Sequence, residues 1–133
     1  MTADASNASP EETAQISYEL VEPAQPRVVV VDLLSETLGD PGHAAQLGQQ
    51  LSALIRQDLP RRYVLDFHKV RVIGSTAFGA LIAFILKVRE AGGRVGICNM
   101  HNFVRFGADV IRMGDYAEFA PDRQTAIEAF LKE

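Results

Sequence analysis

Residues 63–81 read YVLDFHKVRVIGSTAFGAL, and within them a strand pattern gives way to a helix pattern. Residues 63–67 form a short apolar run of strand length, rich in residues that favour β-structure. After Gly74 the apolar residues recur at helical spacing, which predicts a helix over residues 75–91. The pair Gly92-Gly93 is a typical C-terminal stop for such a helix. A buried strand followed directly by a helix is typical of an α/β domain.

The sequence on both sides of this segment continues the alternation of strands and helices. Residues 15–21 alternate apolar and polar side chains, and residues 27–34 (RVVVVDLL) predict a strand buried on both faces. Asp40 as N-cap and Pro41 in the first helical position predict the start of a helix. The helix is expected to end before Pro60, and the residues on its apolar face are Leu47, Leu51, Leu54 and Ile55. Further strands are predicted at residues 94–99 and 116–119. Further helices are predicted at residues 102–111, with Phe103, Phe106 and Val110 on one stripe, and at residues 122–131.

The predicted order is therefore ββαβαβαβα, an α/β fold in which right-handed crossovers join parallel strands. The first two strands add an antiparallel edge, so the sheet is mixed. Residues 1–14 are small, polar and acidic, and they predict a disordered tail. Residues 15–133 then form a single domain.

Composition and charge exclude several classes of protein. The chain has 133 residues, 47% of them hydrophobic and 23% charged, which is typical of a soluble globular protein. The net charge is -4, with -7 in residues 1–60 and +3 in residues 61–133, so a basic surface for nucleic acid is not expected. The N-terminus lacks the features of a signal peptide. Residues 72–86 carry no charge, but this stretch is too short to cross a bilayer and is interrupted near its start by Gly74, Ser75 and Thr76. A single cysteine, Cys98, favours the reducing cytoplasm.

Signatures of enzymes and of metal sites are not found in the sequence. Gly74 and Gly79 have the spacing of a phosphate-binding loop, but Gly79 is followed by Ala80-Leu81, where such a loop would place Lys and then Ser or Thr. Ile73 stands where a nucleophile elbow needs glycine. Cys98 has apolar neighbours and is interpreted as an inert core thiol. The sequence therefore predicts no catalytic residues and no cofactor.

The three histidines are predicted to lie in different loop or edge regions. None has a second His, Cys or carboxylate at metal-ligand spacing in the sequence, so no metal site is expected. The histidines are His43, His68 and His101.

Ser75 has two possible roles at the start of the predicted helix. Its side-chain oxygen can serve as the N-cap and accept a backbone N–H bond from the first turn. The same oxygen, exposed at the positive end of the helix dipole, can instead carry a phosphoryl group. The residues alone leave both roles open.

Residues 64–81 resemble the central signature of STAS domains, the fold of bacterial anti-sigma factor antagonists. That pattern has a strand ending in Leu-Asp-Leu, a turn containing Val, an Asp-Ser-Ser/Thr-Gly-Leu motif, and then a helix. The resemblance extends over about residues 15–132. It implies a mixed sheet whose helices pack mainly on one side.

The resemblance also implies a function in partner switching. In the family, the first hydroxyl of the motif is phosphorylated by a partner serine kinase. This residue corresponds to Ser75, and the second hydroxyl corresponds to Thr76. An anti-sigma factor serine kinase is the implied partner, together with a serine phosphatase. Gly74 replaces the family's Asp, which removes a carboxylate from the phosphorylation site, and Ala77 replaces its Gly. The family's Gly-x-Leu-Asp after the second strand is also absent, with Asp40 its nearest counterpart.

The predicted helix over residues 75–91 has an apolar face on each side. Phe78, Leu81, Ile85 and Val88 are expected to meet the sheet, and small or apolar residues lie on the opposite side, where polar ones are usual. The latter side, with the start of the helix, is the predicted partner-binding surface, unless another helix of the domain covers it. It comprises Gly74, Ser75, Thr76, Gly79, Ala80, Ala83, Leu86 and Lys87.

Three functions follow as hypotheses. The first is an anti-sigma factor antagonist that binds a serine kinase and is controlled at Ser75. The second is a STAS module without a switch, in a scaffold or in an assembly associated with lipid or anion transport, where Ser75 is only a helix cap. The third is an enzyme, for which the sequence supplies no set of nucleophile, base and orienting residue. The sequence does not specify an oligomeric state.

Overall fold

The computed structural model describes residues 3–4, 14–21 and 27–131, which fold as alternating strands and helices. The strands in chain order are β1 (Ala3–Asp4), β2 (Ile16–Val21), β3 (Val28–Leu33), β4 (Thr37–Leu38), β5 (Arg62–Asp66), β6 (Val72–Ile73), β7 (Arg94–Cys98) and β8 (Glu118–Ala120). The helices are α1 (Pro41–Ile55), α2 (Ser75–Glu90), α3 (Asn102–Val110) and α4 (Arg123–Leu131), with a short 3-10 turn at Met113–Asp115.

The main sheet is mixed, as the sequence predicted. Its strand order is β1-β2-β3-β5-β7-β8 within the described residues. Strands β1, β2 and β3 pair antiparallel, and the pairs β3/β5, β5/β7 and β7/β8 are parallel. The carboxyl ends of β3, β5 and β7 therefore lie side by side at one edge of the sheet.

The valine run of β3 supplies both faces of this sheet. Val29 and Val31 pack into the larger core, under α1, α2 and α3, whereas Val28 and Val30 pack into a smaller cluster with Phe130 of α4. Alternate side chains of a strand point to opposite faces, so a run of four valines is buried only when both faces are covered. The prediction of helices packed mainly on one side is confirmed.

Several boundaries differ from those that the sequence predicted. Strands β4 and β6 form a separate parallel pair that was not expected, because two residues are too few for a periodic pattern. The last strand is Glu118–Ala120 rather than residues 116–119. Helix α4 begins at Arg123, and Asp122 precedes it, accepting a 2.7 Å bond from the backbone N–H of Thr125.

Helix α1 begins as its capping signal indicates. The Asp40 side chain accepts a 2.6 Å bond from the backbone N–H of Gly42, with Pro41 in the first turn. None of the helices described between residues 41 and 131 combines the length and apolar character needed to cross a membrane. Most of the predicted disordered tail, residues 1–14, lies outside the described residues. Of the described part, Ala3–Asp4 pair with Ser17 and Tyr18 of β2.

Candidate functional site

The start of α2 is built around Gly74, so the first of the two roles considered for Ser75, that of N-cap, is not the one that the structure shows. Gly74 has an extended backbone, and its carbonyl accepts the first helical bond, 3.1 Å from the backbone N–H of Phe78. Gly74 is thus the N-cap, and Ser75 is the first residue within the helix. Among the described residues, no side chain makes a capping hydrogen bond at this end. Because Ser75 does not serve as the cap, its hydroxyl is not needed to begin the helix.

The position at which the family pattern has aspartate is occupied here by Gly74, whose backbone packs closely against the loop at Gly39. The backbone N–H of Gly74 donates to the carbonyl of Leu38 at 3.0 Å, which extends the contact between β4 and β6. A Cβ at position 74 would lie 3.3 Å from the Cα of Gly39 and 3.4 Å from its carbonyl oxygen. Two glycine backbones therefore approach each other closely at this point, and a side chain at position 74 would require the loop at Gly39 to shift by a few tenths of an ångström.

The two hydroxyl residues of the motif face outward. Ser75 and Thr76 are both exposed, in the first turn of a 16-residue helix that carries no acidic side chain in that turn. The N-terminal N–H groups of a helix and its dipole favour a negative charge nearby. An anionic group attached to the Ser75 hydroxyl would meet these groups rather than a carboxylate of the same turn.

The two sides of α2 are arranged as its sequence predicted. Phe78, Leu81, Ile85 and Val88 are buried. Of the predicted partner-binding residues, Ser75, Thr76, Gly79, Ala83, Leu86 and Lys87 are exposed, and Gly74 and Ala80 are half-buried. The structure therefore brings these residues together at the start and along the outer side of one helix.

Helix α1 covers only one edge of this outer side. A Cβ on Gly48 would lie 3.6 Å from the Cβ of Ala80, which marks the close approach of α1 to α2. Beside this contact an open groove of about 420 Å³ runs between the helices, and Ala83 and Lys87 are among its lining residues. The alternative prediction, that a helix of the same domain covers this side, thus applies to Ala80 but not to the exposed Ala83.

A second group of polar side chains lies at the carboxyl ends of the parallel strands. The Asp66 side chain, at the end of β5, is only 3% exposed. It accepts bonds from the backbone N–H of His68 at 3.0 Å, from Nδ2 of Asn99 at 3.2 Å and from Nε of Arg123 at 2.9 Å. Arg123, at the start of α4, also donates to Asp32 at the end of β3. This ion-pair cluster joins α4 to the sheet.

The ionisation of the cluster follows from these bonds. Burial by itself raises the pKa of Asp66, but the hydrogen bonds from His68, Asn99 and Arg123 outweigh burial and hold that pKa below its ordinary value. Burial by itself lowers the pKa of Arg123. The hydrogen bond from Arg123 to Asp66 and the negative charges of Asp32 and Asp66 outweigh burial and raise the pKa of Arg123 above its ordinary value. Asp66 and Arg123 therefore form a charged pair.

The expectation that no histidine has a second ligand at metal-ligand spacing is wrong for His68, which belongs to the same cluster. Nδ1 of His68 lies 2.9 Å from Oδ1 of Asp66, and ligand atoms of Asp32, Asp66 and His68 all lie within 4.8 Å of one another. Three such groups can hold a metal ion in principle. The Arg123 guanidinium, however, already donates to both carboxylates. The arrangement fits a protein cation better than a metal.

The histidines are also placed differently from the prediction of three separate loop or edge regions. His43 lies in the first turn of α1. His68 and His101 come together, with Nε2 of His101 at 3.0 Å from the carbonyl oxygen of His68. Arg71 approaches Nδ1 of His101 at 3.4 Å. The contact between His68 and His101 joins residues 33 positions apart, so no local signal in the sequence announces it.

Cys98 is buried at the end of β7, as expected for a core thiol. Burial and then the nearby charge of Asp66 raise the pKa of Cys98 to about 12. The thiol is therefore neutral near pH 7 and unreactive as a nucleophile.

Comparison with known proteins agrees with this architecture. The sequence profile of the STAS domain matches residues 19–126. No curated protein sequence is significantly similar to the chain. An anti-sigma factor antagonist from Mycobacterium paratuberculosis has a similar structure, with 21% identity and a TM-score of 0.70 over 95% of this chain and 99% of that chain.

Two further structures are similar at lower identity. The phosphorylated form of the Bacillus cell fate determinant SpoIIAA is 18% identical, with a TM-score of 0.62 over 85% of this chain and 98% of that chain. The murine anion transporter Slc26a9 is 17% identical, with a TM-score of 0.67 over 98% of this chain and 22% of the transporter. At these identities the likeness establishes a shared fold, and the profile match over most of the chain establishes the family. The chain belongs to the STAS-domain family.

Proposed function

We propose that this STAS domain is an anti-sigma factor antagonist that binds an anti-sigma factor with serine kinase activity and is controlled by phosphorylation at Ser75. The observation that carries the proposal is the exposed Ser75 in the first turn of α2, at the end of a surface that also includes Gly79 and Ala83. Structural likeness to anti-sigma factor antagonists supports the same class of partner. The protein acts by binding rather than by catalysis, in the bacterial cytoplasm.

The physical basis of the switch is the difference between the free domain and the complex. A phosphoryl group adds about -1.5 to -2 charge at neutral pH. In the free domain that charge lies in water beside the positive end of α2, so the fold tolerates it. In the complex a partner must close over the charge and over Gly79 and Ala83. A buried charge without a counter-ion costs several kcal/mol, so phosphorylation releases the partner. A serine phosphatase then restores binding.

A second function, a STAS module without a switch, is favoured by Gly74. An aspartate at the equivalent family position is replaced here by a residue whose backbone packs against Gly39. The domain also shares its fold with part of an anion transporter. In this alternative the domain is a constant docking unit in a scaffold or transport-associated assembly, and Ser75 is not modified.

Substitutions at Ser75 distinguish the two functions. We expect Ser75→Asp to keep the thermal stability of the wild type and to bind the kinase at least about a hundredfold more weakly, because about 3 kcal/mol of desolvation is not recovered in the complex. Ser75→Ala is expected to keep both stability and binding and to resist phosphorylation. The measurements are calorimetric titration against the candidate kinase and intact mass after incubation with kinase and ATP. Equal affinities of Ser75→Asp and wild type would contradict control at this residue.

Substitution of Ala83 tests the docking surface separately from the switch. Ala83 is exposed beside the groove between α1 and α2, so Ala83→Glu should weaken kinase binding by about tenfold or more while changing the melting temperature by only a few degrees. Ala129→Glu is the matched control, since Ala129 is an exposed helical alanine of α4, on the opposite side of the sheet. If Ala83→Glu unfolds the domain, or if both variants bind equally, this surface is not the docking site.

A further inference from the structure

The groove between α1 and α2 carries a positive charge on each side of one end. Arg56 follows the last residue of α1, and Lys87 lies in the last turn of α2. Both residues are exposed, and both line the groove. Within the described part of the chain, neither side chain takes part in an ion pair. Both charges are therefore available to a bound molecule.

The two cations lie at the same level of the groove. Because α1 and α2 both connect parallel strands of one sheet, the two helices run in the same direction. They approach each other closely where Gly48 faces Ala80. Arg56 follows Gly48 by eight residues, and Lys87 follows Ala80 by seven. At about 1.5 Å per residue the cations lie about 12 Å and about 10 Å beyond this contact, so each flanks one wall of the same end.

Apolar side chains line the groove between the close contact and the cations. Leu51 and Phe84 are almost fully buried and form its floor, and Ile55 is half-buried beside Arg56. Ala83 is exposed on the α2 side. A groove with an apolar floor and open sides has the shape that accepts an amphipathic helix laid along it. The distance from the close contact to the cations corresponds to about two helical turns.

The stretches of sequence that form the two walls contain no acidic residue. Residues 41–56 and 75–89 include neither Asp nor Glu, although the whole chain has 17 acidic and 13 basic residues. The acidic residues nearest in the sequence, Asp58 and Glu90, are not among the described residues that line the groove. The groove is thus electropositive on a chain of net charge -4. Charge complementarity favours an acidic partner at this place and disfavours a basic one.

We propose that this groove binds a helical segment of the partner protein, with an apolar side on the groove floor and acidic side chains that pair with Arg56 and Lys87. The proposal rests on the proposed function in one respect, because it takes the outer side of α2 as the docking surface. The contact is short compared with a standard interface of about 800 Å² per partner, so the segment by itself binds weakly.

The acidic contact is separate from the phosphorylation site. Lys87 follows Ser75 by twelve residues, so the two lie about 18 Å apart along α2. Substitutions at such a distance usually have additive effects. The loss of kinase affinity caused by Ser75→Asp should therefore be the same in the wild type and in Lys87→Glu. The groove contributes to the affinity of the partner, whereas Ser75 controls its release.

Titration of the whole chain with two helical peptides tests this proposal. Both peptides have about 15 residues and the same apolar side of Leu and Ala, and one carries Glu where the other carries Lys. We expect the Glu peptide to bind with a Kd of about 0.1–1 mM and the Lys peptide to bind at least about tenfold more weakly. The net charge of the chain attracts the Lys peptide at long range, so the expected preference has a local origin. Shifts of the Ser52 and Ala83 amide resonances locate the bound peptide.

Charge reversal at the end of the groove tests the ion pairs directly. Lys87→Glu and Arg56→Glu should each weaken binding of the Glu peptide by about fivefold or more, because an attractive pair becomes a repulsive one. The double variant should prefer the Lys peptide. Arg112→Glu is the matched control for Lys87→Glu, since it changes the net charge equally at a 79% exposed side chain outside the groove lining, and it should alter binding by less than about twofold. Melting curves verify that each variant is folded.

Three results would overturn the proposal. Neither peptide binds, both peptides bind equally, or Lys87→Glu binds the Glu peptide as well as Arg112→Glu does. Two further measurements identify a different occupant. Binding of dodecanoate that depends on Lys87, with no binding of either peptide, would assign the groove to a small amphiphile. A wild-type dimer in sedimentation velocity that Lys87→Glu dissociates would assign it to a second copy of the chain.

Failure of this proposal is distinguishable from failure of the function proposed for Ser75. If Ser75→Asp releases the kinase while Lys87→Glu and Arg112→Glu bind the kinase equally, the switch stands and the acidic contact falls. If the Glu peptide binds as expected while Ser75→Asp keeps the affinity of the wild type for the kinase, the acidic contact stands and the switch falls.

Discussion

Gly93→Ala is expected to destabilise the domain by about 3 kcal/mol, the upper part of the range for overpacked sites, and to lower the melting temperature by about 10 °C. A Cβ at position 93 would lie 2.3 Å from the carbonyl oxygen of Arg61 and 2.7 Å from Cγ1 of Val88. Backbone atoms cannot rotate away as a flexible side chain can. The end of α2 would have to separate from the start of β5 to admit one methyl group.

Gly79→Ala is the matched control, because the same change occurs in open space. Within the part of the chain that the structure describes, no atom outside the helix's own turns lies within 4 Å of a Cβ at position 79, and Gly79 is exposed within α2. Alanine is favoured over glycine in a helix by about 0.5–1 kcal/mol, so this variant should be slightly more stable than the wild type. Urea unfolding of both variants measures the difference. Equal changes of the free energy of unfolding would contradict the close approach at Gly93.

Arg123→Met is expected to lower the free energy of unfolding by about 2–3 kcal/mol at pH 7. The substitution keeps a long side chain on α4 but removes the guanidinium that donates to the Asp66 carboxylate. Removal of one partner from a fully buried pair costs about 3–5 kcal/mol, and Arg123 is one-third exposed, so water compensates part of the loss. Arg112→Met is the control, since the Arg112–Asp115 pair is exposed and should contribute less than about 1 kcal/mol.

The effect of Arg123→Met should depend on pH. In the wild type the pKa of Asp66 is lower in the folded state than in the unfolded state, so its ionisation stabilises the fold above about pH 4. That contribution is lost as the pH falls through the folded-state pKa. In Arg123→Met, burial still opposes ionisation of Asp66, but the hydrogen bond from Arg123 is missing, so the folded-state pKa of Asp66 rises. The difference in stability between variant and wild type should shrink from pH 7 to about pH 3, and a constant difference would contradict the assignment.

Local patterns in the sequence predict most of the secondary structure. The four valines of β3 indicate a central strand because each β-branched residue favours extended structure and both faces must be covered. Asp40 and Pro41 indicate the start of α1 because a cap needs only the residues beside it. The same local reasoning fails at β4 and β6, whose two-residue ladder exists only because distant segments pair.

The start of α2 shows where local prediction reaches its limit. The strand-to-helix transition at Gly74 is visible in the sequence, and so is the apolar side of α2. Whether Ser75 or Gly74 is the N-cap depends on backbone geometry, which the close approach of Gly39 to Gly74 influences from 35 positions away. The motif alone therefore does not decide which residue caps α2.

The sequence by itself determined the order of elements, the buried strands and the amphipathic character of the helices, because periodicity and capping act over a few residues. Only the tertiary structure decided which side of α3 faces solvent and which charges meet at the end of the sheet. The pair Asp66–Arg123 joins residues 57 positions apart, and Phe103 is exposed because Gly107 packs against Phe78. Such contacts depend on how whole elements fit together, and no local sequence pattern encodes that fit.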